Sequence, residues 1–116
     1  MNAHIVHQTA SRQPTPLHLE LAVTVWTRLL GLLGRSELKT GHGLWIRPCN
    51  SVHCCFMRFA IDVLYLDRKG QILHIHHHLR PWRFNAHWRA SSVLELAAGE
   101  CRRLNINPGD HLQCDA

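Results

Sequence analysis

In the stretch SVHCCFMRFAIDVLYLDRKG from Ser51 to Gly70, Arg58 and Asp62 are the only opposite charges embedded in the apolar part ahead of the Asp67-Arg68-Lys69-Gly70 turn. In a straight strand they would stand ~13 Å apart, at about 3.3 Å per residue, so a turn must intervene before they can pair. Paired, or with Asp62 accepting backbone N–H groups, they pin the start of the strand that follows, since buried charges need partners. Otherwise they anchor a small ligand, and Met57, Arg58, Asp62 and Arg83 are then the ligand-binding candidates. A second candidate is the run His74-Ile75-His76-His77-His78. Strand alternation puts His74, His76 and His78 on one face with about 6.6 Å between neighbours, a set that could hold zinc or nickel. The plainer reading is a solvated strand face, because Leu73, Ile75, His77 and Leu79 form the apolar side and Leu79 to Ala90 offers no carboxylate to complete the set.

The cysteines are weaker candidates. Cys54 and Cys55 face opposite sides of a strand and cannot share a metal, whereas His53 and Cys55 could, with Cys49 as an incomplete third ligand. Five cysteines (Cys49, Cys54, Cys55, Cys101 and Cys114) are an odd set without an export signal, which argues for reduced, packed thiols. The segment LRPWRFNAHWR interleaves Arg80, Arg83 and Arg89 with Trp82, Phe84 and Trp88, a composition able to stack bases and neutralise phosphates. Its plainer reading is a surface loop whose rings plug one end of a barrel while the arginines stay at the rim.

Composition narrows the classes. A chain of 116 residues, 46% hydrophobic and 18% charged, makes one modest core. No apolar run approaches the ~20 residues of a spanning helix, so no membrane insertion is expected. The N-terminal MNAHIVHQTASRQPTPLH lacks the pattern of a secretory signal, which makes the cytoplasm the expected location. A net charge of +5 with eleven histidines favours acidic surfaces or phosphates, more so below about pH 6.5, the usual imidazole value. Nucleophile elbows, phosphate loops and dinucleotide fingerprints are missing.

The elements that must position these residues are mostly strands. Met1 to Pro16 shows no period that buries a face and is expected to be a flexible tail, leaving 17–116 as a single β-rich domain. Leu17 to Val25 alternates with a period of two, and WTRLLGLLGRSEL suggests a short helix weakened by Gly31 and Gly34. Leu44-Trp45-Ile46 and Ser51 to Met57 read as strands around the Pro48-Cys49-Asn50 turn. Asp67-Arg68-Lys69-Gly70 has hairpin chemistry, pairing Ile61–Leu66 with Gln71–Leu79. Ser92–Leu96 and His111–Cys114 complete the strands, the last after the Asn107-Pro108-Gly109-Asp110 turn.

Several of these motifs together resemble the domain of unknown function 192 family. Arg28-Leu29-Leu30-Gly31-Leu32-Leu33-Gly34-Arg35 is similar to its opening motif, Met57-Arg58 with Ile61-Asp62 to its centre, and Val93-Leu94-Glu95-Leu96, Gly99 and Gly109-Asp110 to its later part. Ala60 departs from the proline common just before the family's Ile/Leu-Asp pair, and Cys54-Cys55-Phe56 departs as well. The resemblance implies a mainly β fold, an antiparallel β sandwich or distorted barrel with one or two short helices, and supplies no catalytic residues. The expected function is a non-enzymatic binding or accessory module with a polar pocket near Arg58 and Asp62, serving a protein or small-molecule partner as a monomer or weak dimer, without a cofactor. The alternatives are a metal-dependent or small-ligand enzyme, and a weak nucleic-acid or phosphate binder acting through Arg80–Arg89; nucleic acid is not the partner expected first.

Overall fold

A computed structural model describes residues 1–9, 11–22, 38–49, 51–53 and 59–115. The described strands are β1 (Asn2–Val6), β2 (Thr15–Ala22), β3 (His42–Ile46), β4 (Ser51–His53), β5 (Ile61–Leu66), β6 (Ile72–Leu79), β7 (Phe84–Ala86), β8 (Ser92–Ala97) and β9 (His111–Cys114), with a short helix α1 (Glu100–Arg103). The fold is mainly β, as expected. Seven strands form one sheet in the order β6-β5-β8-β3-β2-β1-β9, and β4 pairs with β7 in a separate ribbon. All pairings are antiparallel except β2 with β3. The helix expected over Trp26–Leu38 lies, except for Leu38, outside the described residues.

The sheet curls until its edges touch at one end. Gln71 bridges to His111, Ile72 N–H donates to the Asp110 carbonyl at 2.8 Å, and Leu112 N–H donates to the Gly70 carbonyl at 2.8 Å. The result is a distorted barrel, open along the rest of that seam. Residues on alternate positions serve two cores. Ile5, Leu17, Leu19, Trp45, Leu64, Leu66, Leu94 and Leu96 fill the interior with Cys101 and Ile106, while Leu44, Ile46, Ile61, Val63, Tyr65, Leu79 and Val93 pack on the outer face. This explains why β5 reads as a continuous apolar run: all six of its residues are buried because both faces are covered.

Two expectations are corrected. Residues 1–16 are not a loose tail, because β1 is hydrogen-bonded between β2 and β9, with Ala3 and Ile5 buried in the interior. Two small apolar side chains at alternate positions suffice to bury a five-residue strand flanked on both edges. The strict alternation of β6 also fails. Tyr65 pairs with His74 but Leu66 with Ile72, and Val63 pairs with His76 but Ile61 with Leu79, so the ladder shifts twice. A bulge inserts an unmatched residue and resets which side chains share a face. Ile72, Ile75 and Leu79 are the buried positions, His77 is half-buried, and His78 is held at a φ of 56°.

Candidate functional site

Asp62 is the second residue of β5, on the interior side at the barrel end capped by α1. Its carboxylate is fully buried and accepts three backbone N–H groups: His78 at 2.9 Å on Oδ1, and Gly99 at 3.1 Å and Cys101 at 3.0 Å on Oδ2. One side chain thus ties the β6 bulge to the turn that starts α1. The buried carboxylate takes its hydrogen bonds from the backbone of three segments. Met57 and Arg58, its expected companions in a pocket, lie outside the described residues, as do Cys54 and Cys55.

Cys101 packs against this carboxylate. Burial, then the charge of Asp62 and its hydrogen bond, and then Glu100, push the thiol far above its ordinary range. The thiolate is the nucleophilic and metal-binding form, and this environment disfavours it. Cys49 is half-buried and Cys114 exposed.

The histidines of β6 divide. His74 stacks at 6.2 Å on Tyr65 and at 5.7 Å on His87, which itself stands 5.7 Å from Tyr65. The Tyr65 hydroxyl donates to Asn85 Oδ1 at 2.6 Å, joining the β4–β7 ribbon to the outer face of the barrel. His76 and His78 instead line a cleft of 280 Å³ together with Leu79, Arg80, Arg83 and Phe84. The fold therefore brings Arg83 to two of the three proposed metal ligands and leaves the third beside Tyr65. Among the described residues no group of three or more His, Cys, Asp or Glu side chains is gathered as a metal site. His74 and His76 keep one register opposite Tyr65 and Val63, and the shift between Val63–His76 and Ile61–Leu79 is the physical reason that His78 leaves their row.

Partial burial, followed by the charges of His87, His76 and His77, holds the His74 imidazole below its usual range. The unfolded chain then binds the proton more readily than the folded one. Stability consequently falls as pH drops from the ordinary imidazole value, about 6.5, toward the lower folded value. The substitution His74→Gln should reduce the loss of melting temperature between pH 7.5 and pH 5.5. Identical losses in the two proteins, by differential scanning fluorimetry, would contradict this role for His74.

The arm from Arg80 to Arg89 is the exposed part of the site. Trp82, Phe84 and Trp88 are 63%, 57% and 79% exposed, and Arg89 lies 5.1 Å from the Trp88 ring. Trp82 adopts a φ of 66°. The rings therefore do not plug the barrel end, as the plainer sequence reading expected. The interior is already filled by aliphatic side chains and Trp45, which leaves the arm outside.

Sequence reasoning missed a buried network at the opposite edge. His7 Nδ1 lies 3.1 Å from Asp110 Oδ2 and its Nε2 2.7 Å from Thr15 Oγ1. Asp110 also accepts from Gln8 N–H at 3.0 Å and Asn107 N–H at 2.9 Å. The Gly109-Asp110 turn was visible in the sequence; a partner 103 residues away was not.

The family model for DUF192, described as an uncharacterized ACR, matches residues 6–114. A UPF0127 protein of Pyrococcus furiosus is 38% identical over 64 residues, covering 54% of this chain and 54% of that protein; the chain thus matches about half the length of this curated relative. Among solved structures, a "putative transcription regulator" from Sinorhizobium meliloti 1021 superposes with a TM-score of 0.88 at 28% identity, covering 97% of this chain and 92% of that one. A protein of unknown function from Novosphingobium aromaticivorans DSM 12444 superposes with a TM-score of 0.83 at 21% identity, covering 97% and 83%. That second likeness bears on the fold alone.

Proposed function

The chain belongs to the DUF192 family, and from that premise we propose that it is a non-enzymatic binding module whose recognition surface is the Arg80–Arg89 arm, suited to single-stranded nucleic acid. The observation that carries this reading is the exposure of Trp82, Phe84 and Trp88 between three arginines. Exposed apolar side chains gathered in one segment often mark an interaction site. Stacking on a base is worth about 1–3 kcal/mol per ring, and interleaved guanidinium groups neutralise the phosphates between stacked bases. The cleft beside the arm sets His76 and His78 next to Arg80 and Arg83.

Three further facts favour binding by the arm over a pocket at Arg58 and Asp62 or a catalytic site. The Asp62 carboxylate accepts three backbone N–H groups, burial and the neighbouring Asp62 push the Cys101 thiol above its ordinary range, and the net charge is +5. The 28%-identical solved structure carries a description in transcription regulation, which agrees with a nucleic-acid partner.

The test is fluorescence anisotropy with a labelled single-stranded 20-mer at 50 and 200 mM salt. Binding should weaken with salt, and the double substitution Arg83→Glu/Arg89→Glu should lower affinity at least tenfold and flatten the salt slope by about 1 to 2. Binding that is absent at 50 mM salt, or unchanged in the double variant, would sink the proposal.

A further inference from the structure

At the barrel mouth opposite Asp62, the end of β3, the β5–β6 turn, the start of β8 and the strand β9 surround a cleft of 280 Å³. Among the described residues its polar lining includes Trp45, Arg47, Arg68, Lys69, Ser91 and Ser92, with Asp67 the one acid. We propose that this cleft binds a phosphoryl dianion, as borne by inorganic phosphate or a phosphate monoester. The proposal is independent of the arm, since neither Arg83 nor Arg89 lines the cleft.

Charge is the first argument. Three cations against one carboxylate leave the lining two charges positive, which matches a dianion. Among the described residues, none of Arg47, Arg68 and Lys69 forms an ion pair with a carboxylate. Asp67 is already engaged, because its Oδ1 accepts from Lys69 N–H at 2.8 Å and Gln71 N–H at 2.9 Å.

Preorganisation is the second. The Arg47 guanidinium rests 4.5 Å from the Trp45 ring centre, which fixes a cation that would otherwise lose rotamer freedom on binding. Trp45 is itself held from below, its Nε1–H donating to Ser92 Oγ at 3.0 Å. Because that oxygen is the acceptor, the Ser92 O–H remains available as a donor. A tetrahedral dianion has more acceptor sites than a carboxylate, and fits donors that arrive from several chain segments.

Position is the third, because barrel mouths are among the preferred places for small-ligand sites. A neighbouring hollow shares Arg68 and Ser91 and adds Pro48, Cys49 and Ala90, which gives the body of a phosphate ester somewhere to lie.

Inorganic phosphate, titrated into the ¹⁵N-labelled full chain at ionic strength held constant with chloride, should shift the amides of Lys69, Gly70, Ser91 and Ser92 along a saturating curve. The exposed pair Arg47→Ser/Arg68→Ser should weaken that binding at least tenfold, with Lys69→Gln as the second variant should the first lose its dispersed spectrum. Arg83→Glu/Arg89→Glu should bind phosphate as the parent does, even if nucleic-acid binding by the arm proves absent. Tighter binding of a nucleoside 5′-monophosphate than of phosphate would identify an ester, and equal binding the free ion; both support the site. Scattered, non-saturating shifts, or saturation unchanged in both cleft variants, would overturn it. Equal competition by an oligonucleotide without a terminal phosphate would overturn the dianion assignment.

Discussion

Replacing Asp62 by Ala should cost roughly 3–5 kcal/mol of folding stability, read as a lower urea midpoint. Removal of the side chain leaves the N–H groups of His78, Gly99 and Cys101 without their shared acceptor. Each hydrogen bond to a charged group contributes about 1.5–3 kcal/mol, and a buried donor left unmade costs about 1–3 kcal/mol, with neither set strictly additive. The substitution Asp62→Asn is informative in a different way. It preserves shape and one oxygen but turns a donor group toward a backbone N–H, so a loss of about 2–4 kcal/mol is expected. In both variants the amides of His78, Gly99 and Cys101 should lose hydrogen-exchange protection before those of Leu64 and Leu94. A stability within 1 kcal/mol of the parent for Asp62→Ala would show that the carboxylate does not organise this end of the barrel.

The second large effect is expected at Gly70, whose φ of +86° is combined with a close approach: a Cβ there would lie 2.6 Å from the Leu112 carbonyl oxygen. The left-handed conformation alone costs an L-residue about 1–2 kcal/mol. Relieving the clash requires the β5–β6 turn to move off β9, breaking the bond from Leu112 N–H to the Gly70 carbonyl, worth about 1 kcal/mol. Gly70→Ala should therefore destabilise by roughly 3–4 kcal/mol. Gly41→Ala is the matched control, since its φ is +76° but a Cβ there meets nothing within 4 Å. It should lose only the conformational part, about 1–2 kcal/mol. Equal losses at the two positions, measured by chemical denaturation, would remove the close approach from the explanation.

The β5–β6 hairpin was legible because its signals are local: the Asp67 carboxylate caps the turn and Gly70 takes the positive φ within four residues. The Asn107–Asp110 turn was legible for the same reason. What escaped the sequence depends on distant segments. β1 is a strand because β2 and β9 flank it, the parallel pairing of β2 with β3 has no local signature, and the bulges of β6 follow from its fit to β5. The candidate site shows the same division. The Arg and Trp content of the arm was plain, but the nearness of Arg83 to His76 and His78 was not. Asp62 stood out as a lone acid in an apolar run, and its occupation by amides 16, 37 and 39 residues away had no trace in the sequence.

The pairing of β1 with β9 has a consequence for how the molecule comes into being. Ala3 faces Cys114, and Asp115 N–H donates to the Asn2 carbonyl at 3.0 Å, so this pair of strands joins segments more than a hundred residues apart. Contacts of such separation carry a large loop-closure entropy and slow the folding of β proteins. During synthesis β1 emerges early and waits, with one edge unpaired, until β9 has left the ribosome. That open edge of β1 is a site for mispairing in the partly made chain until β9 covers it.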